Sequence, residues 1–309
     1  MSRLSPSDSA ITALSPAVWG STYLVTTQFL PEDRPLLAAT VRALPAGLFL
    51  MAITRSVPRG VWWVKVAVLG ALNIGLFFFL LFVAAYELPG GVAALVMSVQ
   101  PLFVLLLGAA WLRDRIRREH LLACVVGAAG IGLLVLRSDV VLTTVGVVAG
   151  LAAALSMAAG IVLTKRWGRP DGIGLLGFTG MQLALGGLLL LPAMAIIEGP
   201  PPSLTGTNLA GFAYLSLVGA MLAYAVWFRG IERLPPVVVS FLGFFSPLTA
   251  TVLGLVFLGE SLTPAQAVGA LLIVASVVVA HVAPADGRDR PVEPHLSDAE
   301  PLVQQPRPS

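Results

Sequence analysis

Long apolar runs separated by short charged segments dominate the chain. A hydrocarbon core of about 30 Å takes roughly 20 apolar residues of helix to cross. Ten stretches approach that length: Ala10 to Gln28, Leu36 to Thr54, Lys65 to Tyr86, Gly91 to Leu112, Leu121 to Leu136, Val145 to Lys165, Ile173 to Ile197, Asn208 to Phe228, Val237 to Leu258 and Pro264 to His281. The pattern predicts an all-α polytopic membrane protein with ten transmembrane helices. The first run has only Arg3 before it and no small-x-small cleavage site after it, so it reads as a retained span and not a removable signal. Past Pro284 the chain turns polar and proline-rich, and residues 284–309 read as a disordered cytoplasmic tail.

Composition agrees. Hydrophobic residues make up 57% of the 309 positions and charged residues 11%, against roughly 45–50% and 25% in soluble proteins. Too few charges remain to coat a water-soluble globule of this size. The single cysteine, Cys124, sits among Leu121, Leu122, Val125 and Val126, which makes it a packing residue and excludes an internal disulfide or a thiolate cluster. The formal charge of +3 does not point to nucleic acid, because the basic residues lie in short clusters between apolar runs. Their distribution encodes orientation: alternate loops place sixteen Lys and Arg on one side and two, Arg34 and Arg137, on the other. By the positive-inside rule both termini, including residues 1–9, are cytoplasmic.

Sliding the chain against itself by 146 residues aligns Leu88-Pro89 with Leu234-Pro235, Pro101-Leu102 with Pro247-Leu248, and Leu107-Gly108 with Leu253-Gly254. The halves are residues 10–136 and 145–282, of five spans each. Because five is odd, the second half enters the membrane upside down. Two inverted five-helix repeats are a recurring plan of secondary transporters.

Few residues break the apolar background. Gly172, Gly174 and Gly177 match G-x-G-x-x-G, but no strand precedes them and Lys165 to Pro170 leads straight into an apolar span. These glycines, like Gly146 and Gly150, read as close-packing positions. Arg42 lies inside the second span, roughly 10 Å from its outer end. Unpaired in lipid it costs about 3 kcal/mol, so it either snorkels or pairs with Glu32, Asp33 or Glu87, or it faces the substrate cavity. No carboxylate or histidine falls at mid-depth, which leaves no catalytic residues, no metal site and no proton relay, and implies facilitated diffusion or exchange. Glu87 is the nearest alternative relay.

The neutral polar and aromatic residues at mid-membrane are Trp19, Tyr23, Asn73, Phe77 and Gln100 in the first half, and Met157, Gln182, Tyr224, Trp227 and Phe244 in the second. Together with Arg42 they form the expected substrate-binding set, an aromatic cavity with a few hydrogen-bonding groups suited to small amphipathic metabolites. Pro101 and Pro247 hold matching places in the two halves and are the expected gating bends.

Trp19-Gly20-Ser21-Thr22-Tyr23, Ala38-Ala39-Thr40-Val41-Arg42 and the run from Ala84 through Pro89 to Leu95 ahead of Pro101 resemble the EamA-type branch of the drug/metabolite transporter superfamily. So do Leu234-Pro235 to Pro247 and Gly259-Glu260-Ser261-Leu262, and the likeness covers residues 10 to 282. Leu69 to Gly75 with Leu81 to Tyr86 is more narrowly similar to the PecM-like pigment exporters. The resemblance implies two inverted EamA repeats around a central cavity, and export of amino acids, drugs or secondary metabolites by alternating access. It implies no cofactor. The expected partners are the lipid bilayer and a small-molecule metabolite, with no nucleic acid, and a homo-oligomer stays open. The first half reads Leu112-Arg113-Asp114-Arg115-Ile116 where the family has Gly-Glu-x-Leu, so that end packs differently. A membrane-embedded sensor or scaffold that binds a metabolite without moving it is the alternative.

The charge asymmetry sets a labelling experiment. Cysteines introduced at Gly206 and Ser138 are expected to react with an impermeant thiol reagent from outside, and those at Arg59 and Arg117 are not. The opposite pattern overturns the ten-span reading.

Overall fold

The computed structural model describes residues 6–88, 93, 96–135, 143–201, 203–257 and 263–282. Helices occupy most of the described part of each apolar stretch anticipated above, and no strand occurs among the described residues. The first stretch is broken at Ser21 into α1 (Pro6–Gly20) and α2 (Thr22–Phe29). Next come α3 (Pro35–Thr54), α4 (Trp62–Gly70) and α5 (Leu76–Glu87), the last two joined by a π-helical turn at Ala71–Gly75. The first half ends with α6 (Gln100–Trp111) and α7 (Arg118–Val135). In the second half α8 (Thr144–Trp167) is followed by α9 (Leu175–Ala193), which runs on through a π turn at Met194–Glu198. A third π turn, Leu217–Leu222, joins α10 (Gly206–Ser216) to α11 (Ala223–Arg233). The chain closes with α12 (Pro236–Leu242), α13 (Phe245–Phe257) and α14 (Pro264–Val282). Among the described residues seven helical segments are long and apolar enough to cross a membrane.

Local chemistry explains the helix ends. Pro35 opens α3, where its missing N–H is no loss, and the Glu198 carboxylate accepts from the backbone amides of Leu36 (2.6 Å) and Leu37 (2.9 Å). The Thr143 hydroxyl accepts from the Gly146 amide to start α8, and Thr205 and Asn208 form a reciprocal capping box at α10. Gly168, at φ +66°, stops α8 in a conformation that a residue with a Cβ seldom adopts.

Helix pairing respects the halves. Helix α3 packs on α9, α6 on α12 and α7 on α14, each pair joining one half of the chain to the other. The helix that opens each half also crosses to the other, α1 on α11 and α8 on α5. This list is unchanged when the halves are exchanged. Segments assigned above to the basic-rich side also meet one another: Asp8 reaches Arg229 and Arg233, and Arg169 reaches Glu232.

Close approach between α3 and α9 depends on small residues. A Cβ on Gly47 would collide with the backbone of Ala184, and one on Gly187 with the backbone of Leu44. Of the glycines in the G-x-G-x-x-G match only Gly177 is a close-packing position, against Ser56; Gly172 and Gly174 face open space, and Gly172 turns the chain at φ +74°. Replacing Gly47 by alanine is therefore expected to lower stability by at least about 1–3 kcal/mol, seen as a lower thermal midpoint in detergent. Gly206→Ala, at an open position, should leave the midpoint where it is. Equal midpoints for the two variants would contradict this packing.

Candidate functional site

A cavity of about 510 Å³ lies between the halves. Its walls come from α1, α2, α3, α5, α6, α7, α8, α11, α12–α13 and the turn between α2 and α3. Of the residues proposed from sequence, Trp19, Arg42, Phe77, Gln100, Met157, Tyr224, Trp227 and Phe244 line it, as does Pro247. The side chain of Tyr23 lies outside the described residues, as do residues 259–262.

Aromatic rings form a continuous wall. Trp19 lies 4.9 Å from Tyr224 and 5.0 Å from Trp227 between centroids, and Tyr224 lies 6.0 Å from Phe78. The Arg42 guanidinium sits 4.9 Å over the Phe78 ring, a cation–π contact strengthened by its 3% exposure. Arg42 thus points inward, its Nη2 donating to the Gly219 carbonyl at 3.1 Å, and does not snorkel.

The two inner π turns supply the anchors for this wall. Around Leu217–Leu222 the Ala223 amide donates to Val218 and Ala220, which leaves the Gly219 carbonyl open to side chains. Trp19 Nε1 (3.0 Å) and Arg42 both donate to it. At Ala71–Gly75 the Leu76 amide reaches back to Ala71, and the Asn73 carbonyl accepts from the Tyr224 hydroxyl at 3.5 Å. Residues 73 and 219 are 146 apart, the register of the repeat. The sequence carries no sign of these turns, because the runs around Ala71–Gly75 and Leu217–Leu222 are apolar almost all round, so the phase shift of a π turn has no polar stripe to displace.

Three sequence expectations need correction. Asn73 and Gln182 do not line the cavity: both are fully buried, and Asn73 Nδ2 donates to Gln182 Oε1 (2.9 Å) and Thr164 Oγ1 (3.2 Å) where α5, α8 and α9 meet. In lipid, amide pairing between helices takes up one polar atom of each group without a ligand, and it leaves Asn73 Oδ1 and Gln182 Nε2 unpaired. Pro101 is buried and off the cavity, unlike its counterpart Pro247. The carboxylates at the cavity are Glu32 and Asp33, in the α2–α3 turn, while Glu87 is exposed and absent from the lining. The cue in the sequence was Arg42, a buried cation two helical turns from those acids. Phe78, Thr22 and Thr26 were also missed.

At the other end of the first apolar stretch, roughly 35 Å of helix away, polar contacts tie the helices together. Asp8 Oδ1 accepts from Arg229 Nη2 at 2.6 Å and from Arg233 Nη1 at 3.3 Å, tying α1 to α11. Ser9 Oγ lies 3.4 Å from His281 Nδ1, tying α1 to α14. Lys165 Nζ donates to the carbonyls of Glu232 (3.0 Å) and Leu234 (3.1 Å), and Arg169 pairs with Glu232 at 2.9 Å. None of these residues lines the cavity.

The hydrogen bond from Arg229, then the charges of Arg229 and Arg233, hold the Asp8 carboxyl below its ordinary value of 3.8 and outweigh the opposing effect of burial. A lowered carboxylate pKa makes a contribution that is complete above the ordinary value and lost as pH falls through the folded one. The wild type is therefore expected to unfold at a higher temperature than Asp8→Asn at pH 5 to 7, with the gap closing below about pH 4. A gap that persists into acid would mean that the charge of Asp8 is immaterial.

Comparisons with known proteins agree with this architecture. The family model of the EamA-like transporter family matches residues 9–136 and 144–281. Protein PecM of Dickeya dadantii (strain 3937) is 49% identical over 280 residues, which are 91% of this chain and 94% of that protein. A probable amino-acid metabolite efflux pump of Salmonella typhimurium is 28% identical, covering 89% of this chain and 95% of the pump. One protein known from a crystal structure superposes with a TM-score of 0.74 at 22% identity, over 89% of this chain and 98% of its own, a likeness of fold. With two family matches set on the two halves and an aromatic cavity between them, the chain belongs to the EamA-like transporter family and is a multi-pass membrane transporter.

Proposed function

We propose that the protein is a secondary transporter of the cytoplasmic membrane that exports a small organic metabolite by alternating access. Its halves, residues 10–136 and 145–282, act as two inverted five-helix repeats with both termini in the cytoplasm. The observation that carries this reading is the cavity between the halves, lined by Glu32 and Asp33 of the α2–α3 turn, with the Asp8–Arg229–Arg233 clasp tying α1 to α11 at the far end of the first apolar stretch. Exchange-symmetric helix pairing and π turns at matching places support the repeat. The efflux named for one relative and the basic-rich closed end support the outward direction.

In this cycle Trp19, Arg42, Phe77, Gln100, Met157, Tyr224, Trp227 and Phe244 hold the substrate. The π turns give where the halves rock, and Pro247 bends beside the cavity. Opening toward the cytoplasm separates α1 from α11 and so breaks the Asp8 clasp. No carboxylate or histidine lies deep in the cavity, so the energetics are those of facilitated diffusion or substrate exchange.

The experiment is flux into proteoliposomes with a panel of amino acids and flat aromatic metabolites, run with and without a pH gradient at zero membrane potential. Downhill flux or exchange of at least one compound is expected, indifferent to the gradient when that compound does not titrate. Uphill accumulation driven by the gradient would refute uncoupled transport and make Glu32 and Asp33 the first residues to replace. Saturable binding of a panel member with no flux would favour a sensor.

A further inference from the structure

The polar tips of the cavity fall into two sets. Trp19 and Tyr224 are already engaged, one with the Gly219 carbonyl and the other with the Asn73 carbonyl. Trp227 is not: it lines the cavity, is 1% exposed, and its Nε1–H has no acceptor within the protein. The buried hydroxyls of Thr22 and Thr26, one turn apart on α2, also line the cavity without partners. Thr12, Thr54, Thr179 and Thr251 each donate to the carbonyl four residues earlier, whereas Thr22, Thr26 and, away from the cavity, Thr40 do not.

An indole N–H is a donor only, and a buried donor left unpaired is unfavourable, so its partner must arrive with the ligand. The Trp19 ring packed against both Trp227 and Tyr224 favours a flat, conjugated body. We infer that Trp227 is a specificity-determining donor, and that the ligand class is flat conjugated ring systems bearing a carbonyl-type acceptor. Thr22 and Thr26 then bind a second polar group of the same molecule. The inference rests on the cavity being the transport site, and its test is one of binding alone.

The probes are coumarin, whose lactone carbonyl is an acceptor, and 2H-chromene, the same bicycle without that carbonyl. Equilibrium dialysis of the full chain in detergent should give coumarin a preference of about tenfold over 2H-chromene. Trp227→Phe should lose the preference, with coumarin and 2H-chromene bound alike within the variant, whatever its overall affinity. Equal affinities in the wild type, binding of neither probe, or a preference that survives in Trp227→Phe would overturn the assignment. In the wild type itself, one indole N–H resonance should move downfield with coumarin and stay in place with 2H-chromene. Unmoved indole resonances would overturn the assignment even if the variant failed to fold. Preference without flux of any substrate would remove the transporter reading and leave this one standing, and flux without preference would do the reverse.

Discussion

In hydrocarbon there is no water to satisfy a backbone carbonyl, so each irregularity in a spanning helix must be answered by a donor from elsewhere in the protein. The centre of this molecule is arranged around two such debts of geometry, the carbonyls of Asn73 and Gly219. Each lies in a π turn, at positions 146 residues apart, and each is met by side chains from the other half of the chain. Because the donors are Trp19, Arg42 and Tyr224, satisfying the backbone also sets the aromatic wall of the cavity. Stability and site geometry therefore share the same hydrogen bonds.

Arg42 shows how one residue serves several terms at once. Its guanidinium is desolvated, which is unfavourable, and the Gly219 carbonyl and the Phe78 face offset part of that. The same placement puts a fixed positive charge in the wall of a cavity that Glu32 and Asp33 also line. A cavity so lined can take a polar or anionic substituent at the Arg42 end while aromatic faces hold the rest of a ligand.

Much of this was legible in the chain. The ten apolar stretches, their charge asymmetry and the 146-residue register follow from periodicity and loop composition, quantities that burial in lipid makes unusually plain. Eight side chains proposed for the cavity line it, because large aromatics and a lone arginine in an apolar span have few other reasons to be there. The failures are of another kind. Asn73 and Gln182 were placed in the cavity, yet a buried amide can be satisfied by a second amide on a neighbouring helix, and no single-span pattern reports which helix that is. Glu32 and Asp33 were assigned to a loop, correctly, but the depth to which that loop borders the cavity is a tertiary fact. The π turns left no trace in side-chain pattern at all.

The account stands on one space that is reached from the Glu32 end while the Asp8 clasp is closed. A Ser246→Cys reporter in the cavity wall, with Cys124 replaced by alanine, reads access to that space. Cysteines at positions 8 and 229, joined by a short bismaleimide, hold the clasp shut. Labelling of Cys at position 246 by an impermeant reagent should then proceed from outside and fail from the cytoplasmic side, and the unbridged protein should label from both. Cytoplasmic labelling that is untouched by the bridge would contradict the account.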